Sequence, residues 1–126
     1  MNLSSFWITL IGLTLSFNVH AEQLPYTQAT FDALAKDGKP VLVEIHADWC
    51  PTCRTQGPIV KDLLTEKELA GITTLRVNFD NQKSVLKTYK VRQQSTLIGF
   101  KAGKEVGRSI GDTDKKSIRK LMLKTL

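Results

Sequence analysis

Both cysteines of the chain fall in one stretch, "HADWCPTCRTQGP", residues 46–58, as Cys50-Pro51-Thr52-Cys53. A pair at this spacing can be a structural bridge, half of a metal site, or a redox centre. A disulfide stabilises mainly by closing a long loop of the unfolded chain, and a bridge across Pro51 and Thr52 closes almost none. A structural zinc site wants four ligands. There is no third cysteine, and the two histidines are His20, inside an N-terminal segment read below as removed, and His46. No metal site is expected. Dithiol–disulfide exchange remains. It needs no cofactor, because the electrons travel as thiols.

The neighbouring residues suit that chemistry. "VLVEIHA", Val41 to Ala47, is an apolar, β-branched run that reads as a central strand buried on both faces. The cysteines follow it and open a helix. Cys50 then stands at the helix N-terminus, where free N–H groups and the helix dipole stabilise a thiolate. Pro51 fits the first turn, where its missing N–H has no partner to lose. The expectation is that the Cys50 sulfur is exposed and attacks, while Cys53, one turn in, is shielded and resolves the mixed disulfide. Glu44 sits between Val43 and Ile45 in the strand. Burial there disfavours the charged carboxylate, so the group can exchange a proton with Cys53. The other reading is a solvent-facing carboxyl near the strand end. His46 is either a packed rim histidine or a charge that tunes Cys50.

The remaining elements must hold this centre in place. "TQATFDALAKDGKP" places Phe31, Leu34 and Ala35 at helical spacing before Gly38 and Pro40. The helix after Cys53 carries Ile59, Val60, Leu63 and Leu64, with a kink expected at Pro58. "ITTLRVNFD" predicts a second strand and "NQKSVLKTYKV" a short helix. "STLIGFKAGKEVGRSI" predicts two strands around a turn at Ala102-Gly103. "DTDKKSIRKLMLKTL" predicts a closing amphipathic helix, with Asp112, Thr113 and Asp114 as candidate N-caps. Strands alternating with helices, then a hairpin, predict an α/β sandwich with helices on both faces of a mixed sheet.

Phe6 to Phe17 is an uncharged, mostly apolar run of 12 residues, followed by Val19 and Ala21 in the small-residue pattern of a leader cleavage site. The run fits a signal-peptide core and is short of a membrane span. The expectation is a signal peptide over 1–21, cleaved after Ala21, and one domain over 22–126, exported to an oxidising compartment. Residues 22–82 carry 6 basic and 9 acidic residues, whereas 83–126 carry 12 basic and 3 acidic. That asymmetry is either a solvated face of the last helix or a docking surface for an acidic partner or anionic membrane. No nucleic-acid recognition motif accompanies it.

Over residues 27–126 the chain resembles an exported member of the thioredoxin family. "ADWCPTC" resembles the family's tryptophan-plus-C-x-x-C signature. Pro58 falls five residues after Cys53, where the family kinks this helix. "VNFDNQ", with Asp80, resembles the strand-end segment, and "YKVRQQSTLIGFKAGKEVGRSIG" the run through the hairpin to Gly111. The resemblance implies a thioredoxin-like fold, Trp49 on the rim beside Cys50, and Glu44 as the buried acid behind the cysteines. It also places Arg76 on the neighbouring strand, within pairing distance of that acid. One departure stands out. The family has a cis-proline facing the cysteines, where this chain reads Gln94-Ser95-Thr96. A cis bond before a non-proline costs about 2.5–4 kcal/mol. A trans peptide is expected, with the Ser95 hydroxyl near Cys50 and an altered substrate loop.

These features imply a thiol–disulfide oxidoreductase that reduces protein disulfides with Cys50 as nucleophile, Cys53 resolving and Glu44 assisting. Trp49, Pro51, Thr52, Gln94, Ser95 and Thr96 form its rim and substrate loop. The resemblance further implies a periplasmic or secreted monomer, recharged by a membrane-embedded thiol donor. The alternatives are a disulfide oxidant or isomerase, since Pro51-Thr52 does not set the potential alone, and a metal-handling module such as a copper-site assembly factor.

Overall fold

The computed structural model describes Gly12 and residues 22–126; that glycine apart, the expected leader lies outside the described residues. The elements are β1 (Gln23–Pro25), α1 (Gln28–Lys36), β2 (Pro40–His46), α2 (Pro51–Leu63), β3 (Thr73–Asn78), α3 (Lys83–Thr88), β4 (Thr96–Lys101), β5 (Lys104–Ile110) and α4 (Lys115–Leu123). Polar side chains start the helices. Thr27 accepts from the Thr30 N–H at the head of α1, and Asp114, one of the three candidates, accepts from Lys116 N–H at the head of α4. The α2 helix runs through Pro58, which cannot donate to the carbonyl of Arg54 one turn back.

The five strands form one sheet in the order β1-β3-β2-β4-β5. β1 and β2 run parallel to β3, β4 is antiparallel to β2, and β5 is antiparallel to β4. The mixed α/β sandwich expected from the sequence is therefore present. Alternation along β2 divides the core. Val41, Val43 and Ile45 join Leu75, Val77, Ile98 and Phe100 beneath Phe31 of α1 and Leu86 of α3. Leu42 joins Leu97 beneath Val60 and Leu63 of α2 and Ile118, Leu121 and Met122 of α4. Each such side chain contributes roughly 1.5–3 kcal/mol on burial. Two apolar layers thus clamp β2, and β2 delivers the chain to the cysteines.

β1 was not expected. Its three residues are too few for a period, and Pro25 has no N–H for a ladder, which is tolerated on an edge strand. Its place comes from β3: Tyr26 N–H, just beyond, donates to the Arg76 carbonyl at 2.8 Å. The hairpin turns on Ala102 and Gly103, with φ of 49° and 78°, the left-handed pair that a two-residue hairpin turn requires. Among the described residues no helix is long and apolar enough to cross a membrane.

Candidate active site

The end of β2, the head of α2 and the loop before β4 meet at the cysteines. Cys50 is the N-cap of α2, and its sulfur accepts from the Cys53 N–H at 3.2 Å. Both cysteines are free. The sequence reading expected an exposed Cys50, and the structure corrects this: Cys50 is 1% exposed and Cys53 2%. The Cys50 sulfur turns inward to cap its own helix, in a small cluster with Ala47, Cys53 and Phe79.

Ser95 comes to both sulfurs. Its Oγ lies 3.2 Å from Cys50 Sγ and 3.0 Å from Cys53 Sγ. The peptide before it is trans. These contacts separate the two thiols. Burial pushes the Cys50 thiol up, but hydrogen bonds from Cys53, Ser95 and Gln94 outweigh it and hold Cys50 below the ordinary thiol range. Burial pushes the Cys53 thiol up, and its hydrogen bond with Cys50 pushes it further, so it ionises after Cys50.

Glu44 is 2% exposed, which removes the solvent-facing reading. The register sets it opposite Arg76, whose guanidinium donates to Oε1 at 3.0 Å. Oε2 is buried with no partner. Glu44 does not bond Cys53 directly; the Cys53 sulfur reaches Ser95 and, at 3.9 Å, the Ile45 carbonyl. Gly57, one turn beyond Cys53 on α2, borders the Glu44–Arg76 pair: a Cβ there would make ordinary contact with Arg76 Nη2 at 3.7 Å and Glu44 Oε1 at 3.8 Å. His46 pairs with Asp48 at 3.0 Å rather than with Cys50, and its Nδ1 is buried without a partner. Both residues line a cleft of about 430 Å³ with Arg76, Asn78 and Gln82.

On the rim, Trp49 is 53% exposed and its indole N–H donates to the Asp80 carboxylate at 3.0 and 3.1 Å. Pro51 is exposed, and Thr52 and Gln94 are half-buried. Thr96 departs from the expected rim position. It is buried, and its hydroxyl donates to the Gln93 carbonyl at 2.7 Å, closing the loop on itself. One residue was missed. Gln56 is buried on α2, and its amide donates to the Ser95 carbonyl at 3.1 Å and the Asp112 carbonyl at 2.9 Å. Its signal was its spacing: Cys50, Cys53 and Gln56 recur every three residues and so share a helix face. Among the described residues no three His, Cys, Asp or Glu side chains gather as a metal cage.

Together, a mixed sheet flanked by helices and a thiol pair at a helix N-terminus define a dithiol–disulfide exchange protein. A family model described as thioredoxin matches residues 22–124. Thioredoxin of Chlamydia trachomatis is 40% identical over 84 residues, covering 67% of this chain and 80% of that protein. Thioredoxin of Chlamydia pneumoniae is 38% identical over 94 residues, covering 75% and 89%. Among solved structures, the crystal structure of Trxlp from Edwardsiella tarda EIB202 is 39% identical, with a TM-score of 0.78, covering 80% of this chain and 98% of that one. The chain belongs to the thioredoxin family of thiol–disulfide oxidoreductases, which act on protein disulfides.

Proposed function

We propose that this thioredoxin-family chain is an exported, periplasmic reductase of protein disulfides, working as a monomer. The observation that carries the reading is the placement of the two sulfurs: Cys50 caps α2, its sulfur accepting from Cys53 N–H at 3.2 Å and lying 3.2 Å from Ser95 Oγ, while Cys53 stands one turn into the helix. The Cys50 thiolate attacks one sulfur of a substrate disulfide. A Cys50–substrate bond forms, the substrate S–S bond breaks, and the first substrate thiolate leaves with the electron pair. Cys53 then loses its proton and attacks Cys50, forming the Cys50–Cys53 disulfide and releasing the second substrate thiolate. Two electrons have passed to the substrate, and the two thiol protons balance its two thiolates. Glu44, the buried acid on the strand that leads to the pair, assists the loss of the Cys53 proton.

The reducing direction is supported by the buried acid Glu44 on the strand before the pair and by the "ADWC" run, both of which resemble reducing members of the family. Export is supported by the apolar run and small-residue cleavage pattern of residues 1–21. In an oxidising compartment a reductase must be recharged, and a membrane-embedded dithiol protein is the donor that fits. The test is trapping. Cys53→Ala should accumulate a mixed disulfide with a disulfide-bonded protein, and Cys50→Ser should form none. Equal trapping by both variants would overturn the assignment. N-terminal sequencing of the protein recovered from the periplasmic fraction should begin at Glu22; a Met1 start would contradict cleavage, and absence from that fraction would contradict export.

A further inference from the structure

Ser95 has one hydroxyl hydrogen and two sulfurs within reach, at 3.2 and 3.0 Å. It is 1% exposed, so bulk water does not compete for the hydroxyl. Its φ is 61°, a left-handed conformation that costs a non-glycine residue about 1–2 kcal/mol. Three hydrogen bonds hold it there. Its N–H donates to the Ile45 carbonyl at 2.8 Å, and its carbonyl accepts from Gly111 N–H at 3.0 Å and from Gln56 at 3.1 Å. Backbone strain held by this many bonds beside a reactive pair points to function. A hydroxyl accepts on one side while it donates on the other.

We propose that Ser95 is a catalytic hydroxyl that serves the two sulfurs in turn, donating to the Cys50 thiolate in the dithiol and to the Cys53 thiolate in the mixed disulfide. The proposal rests on Cys50 attacking and Cys53 resolving. In the dithiol, the Ser95 O–H faces the Cys50 thiolate, with the Cys53 sulfur 3.0 Å from the same oxygen. Once Cys50 has bonded to the substrate sulfur, its own sulfur is uncharged and a poor acceptor. Cys53 then gives up its proton through solvent, matched by the proton that the departed substrate thiolate takes up. Rotation about Cβ–Oγ turns the O–H to the new anion. That charge-assisted bond stabilises the Cys53 thiolate until it attacks Cys50 Sγ.

The test compares wild type with Ser95→Ala and Ser95→Gly, the second of which also relaxes the positive φ. Thiolate absorbance gives the Cys50 titration. Rapid acid quenching gives the decay of the mixed disulfide with a disulfide-bonded protein from pH 6 to 9. Both variants should titrate Cys50 about one pH unit higher and resolve roughly tenfold more slowly at neutral pH, as loss of a hydrogen bond to a charged group requires. The resolving rate should reach its plateau at higher pH. Wild-type resolution in either folded variant would overturn the proposal, even with Cys50 shifted, because the hydroxyl would then serve one sulfur alone. An effect in Ser95→Ala that is absent from Ser95→Gly would assign it to strain and overturn the proposal equally. The wild-type arm separates the two claims. If wild type forms no mixed disulfide through Cys50, the assignment of attack and resolution fails; if it does and the variants match it, only the role of Ser95 fails.

Discussion

Attack requires a thiolate, and the ionised fraction of a thiol rises with pH through its pKa. Hydrogen bonds hold Cys50 low, and burial holds Cys53 high. Alkylation of Cys50 should therefore level off at a lower pH than that of an ordinary cysteine, and Cys53 should react only at higher pH. Mass spectrometry of the alkylated peptides across pH 5 to 10 checks this, and parallel profiles for the two cysteines would contradict it. Glu44→Gln removes the acid but keeps an oxygen for Arg76, so the fold should persist while the resolving step slows. Stopped-flow rates that match wild type from pH 6 to 9 would place Glu44 outside the mechanism. The helix-tip position of the cysteine pair and the burial of Glu44 were legible because each rests on local context: a spacing, a strand, a helix start. The burial of Cys50 was not legible, because the cover over a helix tip comes from elsewhere in the chain. Ser95 lies 45 positions from Cys50 in sequence.

At the scale of elements, α2 is both the platform for the cysteines and the anchor of the loop that faces them. Gln56 makes that second link, tying α2 to carbonyls 39 and 56 positions away. Gln56→Leu would leave the Asp112 carbonyl without this donor and the Ser95 carbonyl with Gly111 alone. We expect a loss of about 2 kcal/mol of stability, read from urea unfolding, together with slower disulfide reduction as Ser95 loosens. A variant as stable and as fast as wild type would remove the anchor role. The hairpin offers a second check. A Cβ on Gly103 would sit 2.8 Å from Ala35 Cβ on α1, and its φ is positive. Gly103→Ala should cost about 1–3 kcal/mol and leave Cys50 titration unchanged, because the turn lies at the strand ends remote from the sulfurs. The long elements were legible from their periods and turn residues. β1 was not, since its three residues carry no period and take their place from backbone pairing with β3.

For the whole molecule, two apolar layers fix the sheet so that β2 brings Glu44 beneath α2 and ends beside the cysteines. The charge asymmetry is partly consumed within the fold. Arg119 of α4 pairs with Glu66 and Glu68, and Lys115 with Asp62, so the last helix is tied to the acidic half of the chain. The molecule presents one dithiol with a single stabilised thiolate, and the account holds that it gives its electrons away. The reduction potential of the Cys50–Cys53 couple, measured against a glutathione series, tests that claim most directly. A reductase should lie near the thioredoxin value of about −270 mV. A potential near −120 mV, where the reduced form is so stable that the disulfide acts as an oxidant, would reverse the electron flow and contradict the account.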